Sequence, residues 1–147
     1  MKRHPSLAPL SREHHGALIL ARLLQKNAPE YKDLPSDTAG KAIYALKFYN
    51  EEIIKHFEEE EKILKLVIGI NSSLDILAGN IFKEHQDLKV LFHSINIPAG
   101  SADHLNKLGK ALEIHIRKEE RELFPMIQEI CNEEIMAEIE NSLSSKK

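Results

Sequence analysis

Two His-x-x-x-Glu pairs, His56 with Glu60 and His115 with Glu119, fall where the apolar stripe of a helix calls for hydrophobic side chains. From Ala42 the core-spaced positions are Leu46, Tyr49, Ile53, His56, Glu60, Ile63 and Val67; from Leu105 they are Leu108, Leu112, His115, Glu119, Leu123 and Met126. Steps of three and four keep each series on one helix face. A carboxylate pointed into a bundle interior is strongly destabilising unless it is paired, and here each has an imidazole one turn before it. A metal ion is the partner that satisfies all four groups together.

Two further stripes each carry one histidine: Leu10, His14, Ala17, Leu18, Ala21, Leu24, and Leu74, Leu77, Ile81, His85, Leu88, Phe92. His14, His56, His85 and His115, with Glu60 and Glu119, make six candidate metal ligands. Imidazole nitrogen and carboxylate oxygen suit iron, manganese or zinc, whereas calcium and magnesium prefer oxygen alone. Six groups exceed what one tetrahedral zinc needs. Two ions bridged by Glu60 and Glu119, with the histidines divided between them, use every group.

The elements that must position these residues are helical. Strand alternation is absent and aromatic residues make up only 5%, which argues against a sheet. Ser11 is expected to cap a first helix from about Arg12, and 27–35, with two prolines, reads as a loop. Ser36 or Asp37 opens a second helix to Val67; Gly69 to Ser73 forms a turn, with Ser73 capping the third. Pro98-Ala99-Gly100-Ser101 breaks that helix, and Asp103 caps a fourth that reaches about Pro125. The tail from Asn132 to Leu143 reads as a short frayed or packing helix. The expected architecture is all-α: an up-down-up-down four-helix bundle with a short C-terminal helix.

The 147 residues fit one domain, 1–147, large enough for its own core. A net charge of -3 leaves no footprint for nucleic acid or a membrane surface. The N-terminus has no signal-peptide pattern and no apolar run is long enough to span a bilayer. A single cysteine, Cys131, fits a reducing compartment and reads as a small buried hydrophobe. The expected location is cytoplasmic.

Other polar residues take ordinary roles. His15 lies on a less apolar stripe than His14, through Ser11, Leu18, Ile19 and Arg22, so His14 is preferred as first-helix ligand and His15 reads as surface or ligand-orienting. His93 reads as an interhelix or exposed group, His4 and His104 as solvated, and Glu58, Glu59 and Glu61 as a solvated face. Tyr49 is expected to pack with its hydroxyl at the bundle end, and Phe57, Leu123, Phe124 and Met126 to join the core.

The chain resembles the hemerythrin-like family, the hemerythrin HHE cation-binding domain, in Leu10-Ser11-Arg12-Glu13-His14-His15, His56-Phe57 with Glu60-Glu61, Glu84-His85, and the run from His115 to Pro125. The resemblance implies a non-haem di-iron centre with an oxo or hydroxo bridge, His14, His56, His85 and His115 as terminal ligands, and Glu60 and Glu119 as bridges. Oxygen-carrying members have a second histidine one turn after the first in the third helix. Here that position is Lys89, and a protonated lysine is no ligand. The four-histidine set is similar to the di-iron domain of bacterial proteins that repair iron–sulfur clusters, although their cysteine-bearing N-terminal domain has no counterpart here.

Three functions follow as expectations. One is a protein that binds or senses O₂ or NO, or handles iron. Another is a catalytic role in peroxide or NO turnover, or in repair of iron–sulfur clusters, with an electron donor or an iron–sulfur client protein as partner. The third, a signalling bundle with an empty site, predicts a fold indifferent to chelators. Manganese or zinc could replace iron in such a ligand set.

Overall fold

The computed structural model describes residues 2–95 and 101–144, and every regular element among them is helical. Helix α1 is Ala8–Leu23. Helix α2 spans 38–67, made of Thr38–Phe48, a π-helical turn Tyr49–Ile53, and Ile54–Val67. Helix α3 is Ser72–His93. Helix α4 spans 102–130, with a π turn Glu119–Leu123 between Ala102–Lys118 and Phe124–Ile130, and α5 is Glu133–Ser144. The break expected at Pro98, Ala99 and Gly100 lies outside the described residues.

Several helix starts differ from expectation, for local reasons. Helix α1 begins at Ala8, not near Arg12, because Pro9 sits in the first turn, where its missing N–H is no loss. Ser11 is therefore inside the helix, and its hydroxyl donates to Glu120 at 2.8 Å. Asp37 caps α2 by accepting from Gly40 N. Asn71, not Ser73, caps α3, and Ser101, not Asp103, caps α4. Asp103 instead forms an ion pair with Lys26. Between α2 and α3 the chain turns at Gly69, whose φ of 91° suits a residue without Cβ.

Pro125 would ordinarily end α4. The helix continues because the π turn directly precedes it. Phe124 N–H bonds to Glu119 O, five residues back, and in that register the carbonyl of Glu120 faces residue 125. Proline has no N–H to give it. Arg3 supplies the missing donor, with Nη2 2.9 Å from Glu120 O. The extra residue of the turn also moves the last step of the stripe from Met126, which is half-buried, to fully buried Ile127.

The apolar core is divided into two clusters. One contains Leu10, Ile63, Ile81 and Leu123, with Met136, Ile139 and Leu143 of α5 and the buried Cys131. The other contains Ala17, Ile53, Phe57, Leu88, Leu112 and Ile116. Along α1 and α3 the chain passes from the first cluster to the second; along α2 and α4 it passes from the second to the first. Each helix places its candidate ligands at the crossing. Burial of a Leu, Ile or Phe contributes roughly 1.5–3 kcal/mol, so the two flanking clusters offset the desolvation of the polar layer between them.

Candidate metal centre

His14, His56, Glu60, His85, His115 and Glu119 are all buried and converge in that polar layer. Their ligand atoms form two groups, His14, His56, Glu60, Glu119 and Glu60, His85, His115, Glu119, each with its atoms within 4.8 Å of one another. Both carboxylates belong to both groups. Glu60 Oε2 lies 3.2 Å from His14 Nε2 and 2.9 Å from His56 Nε2, while its Oε1 lies 3.0 Å from His85 Nε2. Glu119 Oε1 lies 3.0 Å from His14 Nε2, and Oε2 lies 3.4 Å from His115 Nε2.

The donor set fits a pair of cations. His56 Nε2, His115 Nε2 and both Glu119 oxygens are buried and close to opposite charge, yet none makes a hydrogen bond of good geometry. Convergent lone pairs without aligned hydrogens are what a cation satisfies and a hydrogen-bond network does not.

The opposite edge of each imidazole is held by a carboxylate that the stripe pattern did not select. Nδ1 of His14 donates to Glu120 at 2.6 Å, that of His56 to Glu13 at 2.6 Å, that of His85 to Glu61 at 2.7 Å, and that of His115 to Glu84 at 2.7 Å. This contact fixes the tautomer, leaving Nε2 to face the centre, and raises the basicity of the ring. Ring planes are held too: Phe57 stacks on His85 with centroids 4.0 Å apart, and Phe124 lies parallel to His14 at 5.6 Å.

Without a cation the cluster holds protons. Burial, the largest influence on His14, works against its charge, but the adjacent carboxylates of Glu119, Glu120 and Glu60 outweigh it and push the pKa from 6.5 up to about 12. The same opposition leaves His56 pushed up to about 9 by Glu60 and Glu13, and His115 to about 10 by Glu119 and Glu84. His85, beside Glu119 and Glu60, is also raised to about 9. Burial tends to raise Glu60, yet His56, His14 and His85 hold it well below the usual carboxylate range. Glu119 resists burial and the nearby Glu60 charge through His115 and His14, and falls to about 2.

The remaining expectations divide. His15 is exposed, His93 meets the Tyr49 hydroxyl at 3.3 Å, and Tyr49 stacks on Phe92 away from the centre. Glu58 is solvated as expected. Glu61 is not, because it braces His85, and Glu59 is buried. His4 and His104 are not simply solvated: His4 Nδ1 is 2.8 Å from Ser6 Oγ, and His104 Nε2 donates to Leu91 O at 2.8 Å.

A helical bundle with two histidine-carboxylate groups sharing both carboxylates defines the class as a metal-binding bundle. Residues 5–127 match the model of the hemerythrin HHE cation-binding domain, and the chain belongs to that family. No match is found among curated proteins or among solved structures. Among the described residues, no helix is long and apolar enough to cross a membrane.

Proposed function

We propose that this chain is a non-haem di-iron protein that binds or senses O₂ or NO, or handles iron. His14 and His56 would hold one ion and His85 and His115 the other, with Glu60 and Glu119, which belong to both groups, available to each. The observation that carries this reading is the sharing of both buried carboxylates by two ligand groups. When bound, iron supplies open coordination positions and one-electron redox chemistry suited to small oxidants. The protein's part is to keep Nε2 of each imidazole aimed inward and to exclude bulk water with two apolar clusters. The same donors accept manganese or zinc, so metal supply takes part in the choice. The buried lone Cys131 supports a reducing, cytoplasmic setting.

Elemental analysis with an optical spectrum on protein from iron-replete cells tests the reading. About two irons per chain, one for each four-residue group, with near-ultraviolet absorption that changes under O₂ or NO, supports it. Trace metal and a fold unchanged by chelator would leave a structural bundle.

A catalytic reading, turnover of peroxide or NO or supply of iron to damaged iron–sulfur clusters, is favoured by one observation. Each group offers two histidines and two carboxylates, and the position one turn beyond His85 is Lys89, whose protonated amine adds no ligand. Lys89→His separates the readings. If the variant holds O₂ reversibly where the natural chain autoxidises rapidly, the ligand absent at this position controls the chemistry.

A further inference from the structure

The four histidine braces are unequal. Glu120 is also held by Ser11 and by Arg3, at 2.8 and 3.0 Å, and Glu84 by Lys118 at 2.7 Å. Glu13 pairs with His56 alone among the described residues, and its side chain is 44% exposed, against 21% for Glu61, 29% for Glu84 and 27% for Glu120. His56 is likewise the least enclosed candidate ligand: its side chain is 9% exposed, and the other three histidines are at 3% or less. A cleft of about 240 Å³ between α1 and α2 ends on this pair, lined by Glu13, Gly16, Ala17, Phe48 and Glu52 beside His56, with Arg12 and Ile53. It lies next to the π turn Tyr49–Ile53, where α2 departs from regular helix one turn before His56.

We propose that this cleft, floored by His56 and rimmed by Glu13 and Glu52, is the port through which divalent cations are loaded into the centre and released from it. The proposal rests on the di-iron reading above. Buried Glu60 lies directly behind His56, 2.9 Å from its Nε2, so outward rotation of the imidazole, with Glu13 following into solvent, uncovers the first bridging carboxylate. Glu13 and Glu52 provide oxygen donors on the way in, and their two charges exceed the one of Arg12. A comparable cleft of about 280 Å³ reaches His115 between α3 and α4, but both of its carboxylates have cationic partners, Glu84 with Lys118 and Asp87 with Lys83 at 3.4 Å, and its other walls are Leu88, Leu91, Ala111 and Ile114. It offers neither a loose ligand nor an unneutralised relay carboxylate at the imidazole, and serves as an internal control.

The test is anaerobic Fe²⁺ uptake, and release to a ferrous chelator, by stopped flow on the full chain. A Cβ at Gly16 meets only the Phe48 ring, at 3.4 Å, with no backbone in the way, and because Gly16 lines the cleft Gly16→Met adds bulk there. Uptake and release should both slow by about tenfold, the effect of roughly 1.4 kcal/mol on a barrier, with final iron content unchanged. Glu52→Lys, at an exposed position, should slow uptake several-fold and keeps the test available if Gly16→Met does not fold. Ala111→Met, in the opposite cleft, should leave both rates at the natural value. Natural rates in Gly16→Met and Glu52→Lys, slowing by Ala111→Met instead, or an effect on O₂ or NO binding alone, would overturn the port. A natural chain that takes up no cation would overturn the centre itself, a distinguishable failure.

Discussion

Nδ1 of His14 donates to Glu120 at 2.6 Å, and this contact between α1 and α4 closes a ring of four. Glu13 of α1 braces His56 of α2, Glu61 of α2 braces His85 of α3, and Glu84 of α3 braces His115 of α4. Each helix thus supplies one imidazole to the centre and one carboxylate to the next helix. The bracing residue precedes the candidate ligand on α1 and α3 (Glu13-His14, Glu84-His85) and follows it on α2 and α4 (Glu60-Glu61, Glu119-Glu120). Because the two pairs of helices traverse the core clusters in opposite directions, both steps rotate about 100° in the same sense around the bundle.

The ring makes Glu61 a positioning residue. Glu61→Ala removes the acceptor on Nδ1 of His85 without touching a ligand, and metal affinity should fall by roughly 10–100-fold, as is usual when such a contact is lost. Glu61→Gln, whose amide oxygen still accepts, should recover part of that loss, and Glu58→Ala, on the solvated face of the same helix, should lose nothing. Competition titration against a chelator of known affinity measures all three. Equal affinities for Glu61→Ala and Glu58→Ala would show that the contact is incidental.

The six candidate ligands were legible because each is a polar residue at an apolar step of a helical stripe, the one place where a polar side chain needs a partner. The ring was not, since Glu13, Glu61, Glu84 and Glu120 sit one residue off the stripe, where an acidic side chain is ordinarily solvated. Their adjacency to a candidate ligand on every one of the four helices was the available signal. The π turns were not legible, because no composition marks them, and the one at Glu119–Leu123 accounts for the shift from Met126 to Ile127. Competing caps such as Asn71 and Ser73, two residues apart, are decided by where the chain enters the helix, which tertiary packing sets.

Glu60 faces three imidazoles at 2.9–3.2 Å. In the metal-free protein its removal leaves buried positive charge without its main partner, and Glu60→Ala should cost about 3–5 kcal/mol. Urea unfolding of chelator-treated protein measures this. A loss below about 1 kcal/mol, the scale of an exposed pair, would mean that the imidazoles are neutral in the metal-free fold.

Protons and cations compete for the same nitrogens. His56 and His85 are raised to about 9 and His115 to about 10, so their stabilisation of the metal-free fold is complete below about pH 6.5 and is lost as pH climbs through those values. Glu119, lowered to about 2, stabilises above about pH 4.5, and this is lost as pH falls toward 2. Metal-free protein should therefore be most stable between about pH 4.5 and 6.5. Cation binding needs the Nε2 lone pairs and displaces those protons, so affinity rises with pH. The Tm difference between Zn²⁺-loaded and metal-free protein should widen from about pH 6 to about pH 8. Thermal melts across that range test it, and a gap that narrows would place the cation on other groups.

Gly109 sets how closely α4 approaches α1. A Cβ there would lie 2.5 Å from the carbonyl oxygen of Ala21 and 3.0 Å from Leu24 Cβ, so Gly109→Ala must push the two helices apart. In an exposed helix the same change would stabilise by about 1 kcal/mol through propensity. Here overpacking should dominate, with a net cost of about 1–3 kcal/mol. Because α1 carries His14 and α4 carries both His115 and Glu119, the displacement also widens the spacing across the first ligand group. Chemical unfolding and cation titration of Gly109→Ala should therefore fall together, whereas Gly79→Ala on α3, where a Cβ meets nothing within 4 Å, should raise stability and leave the titration unchanged.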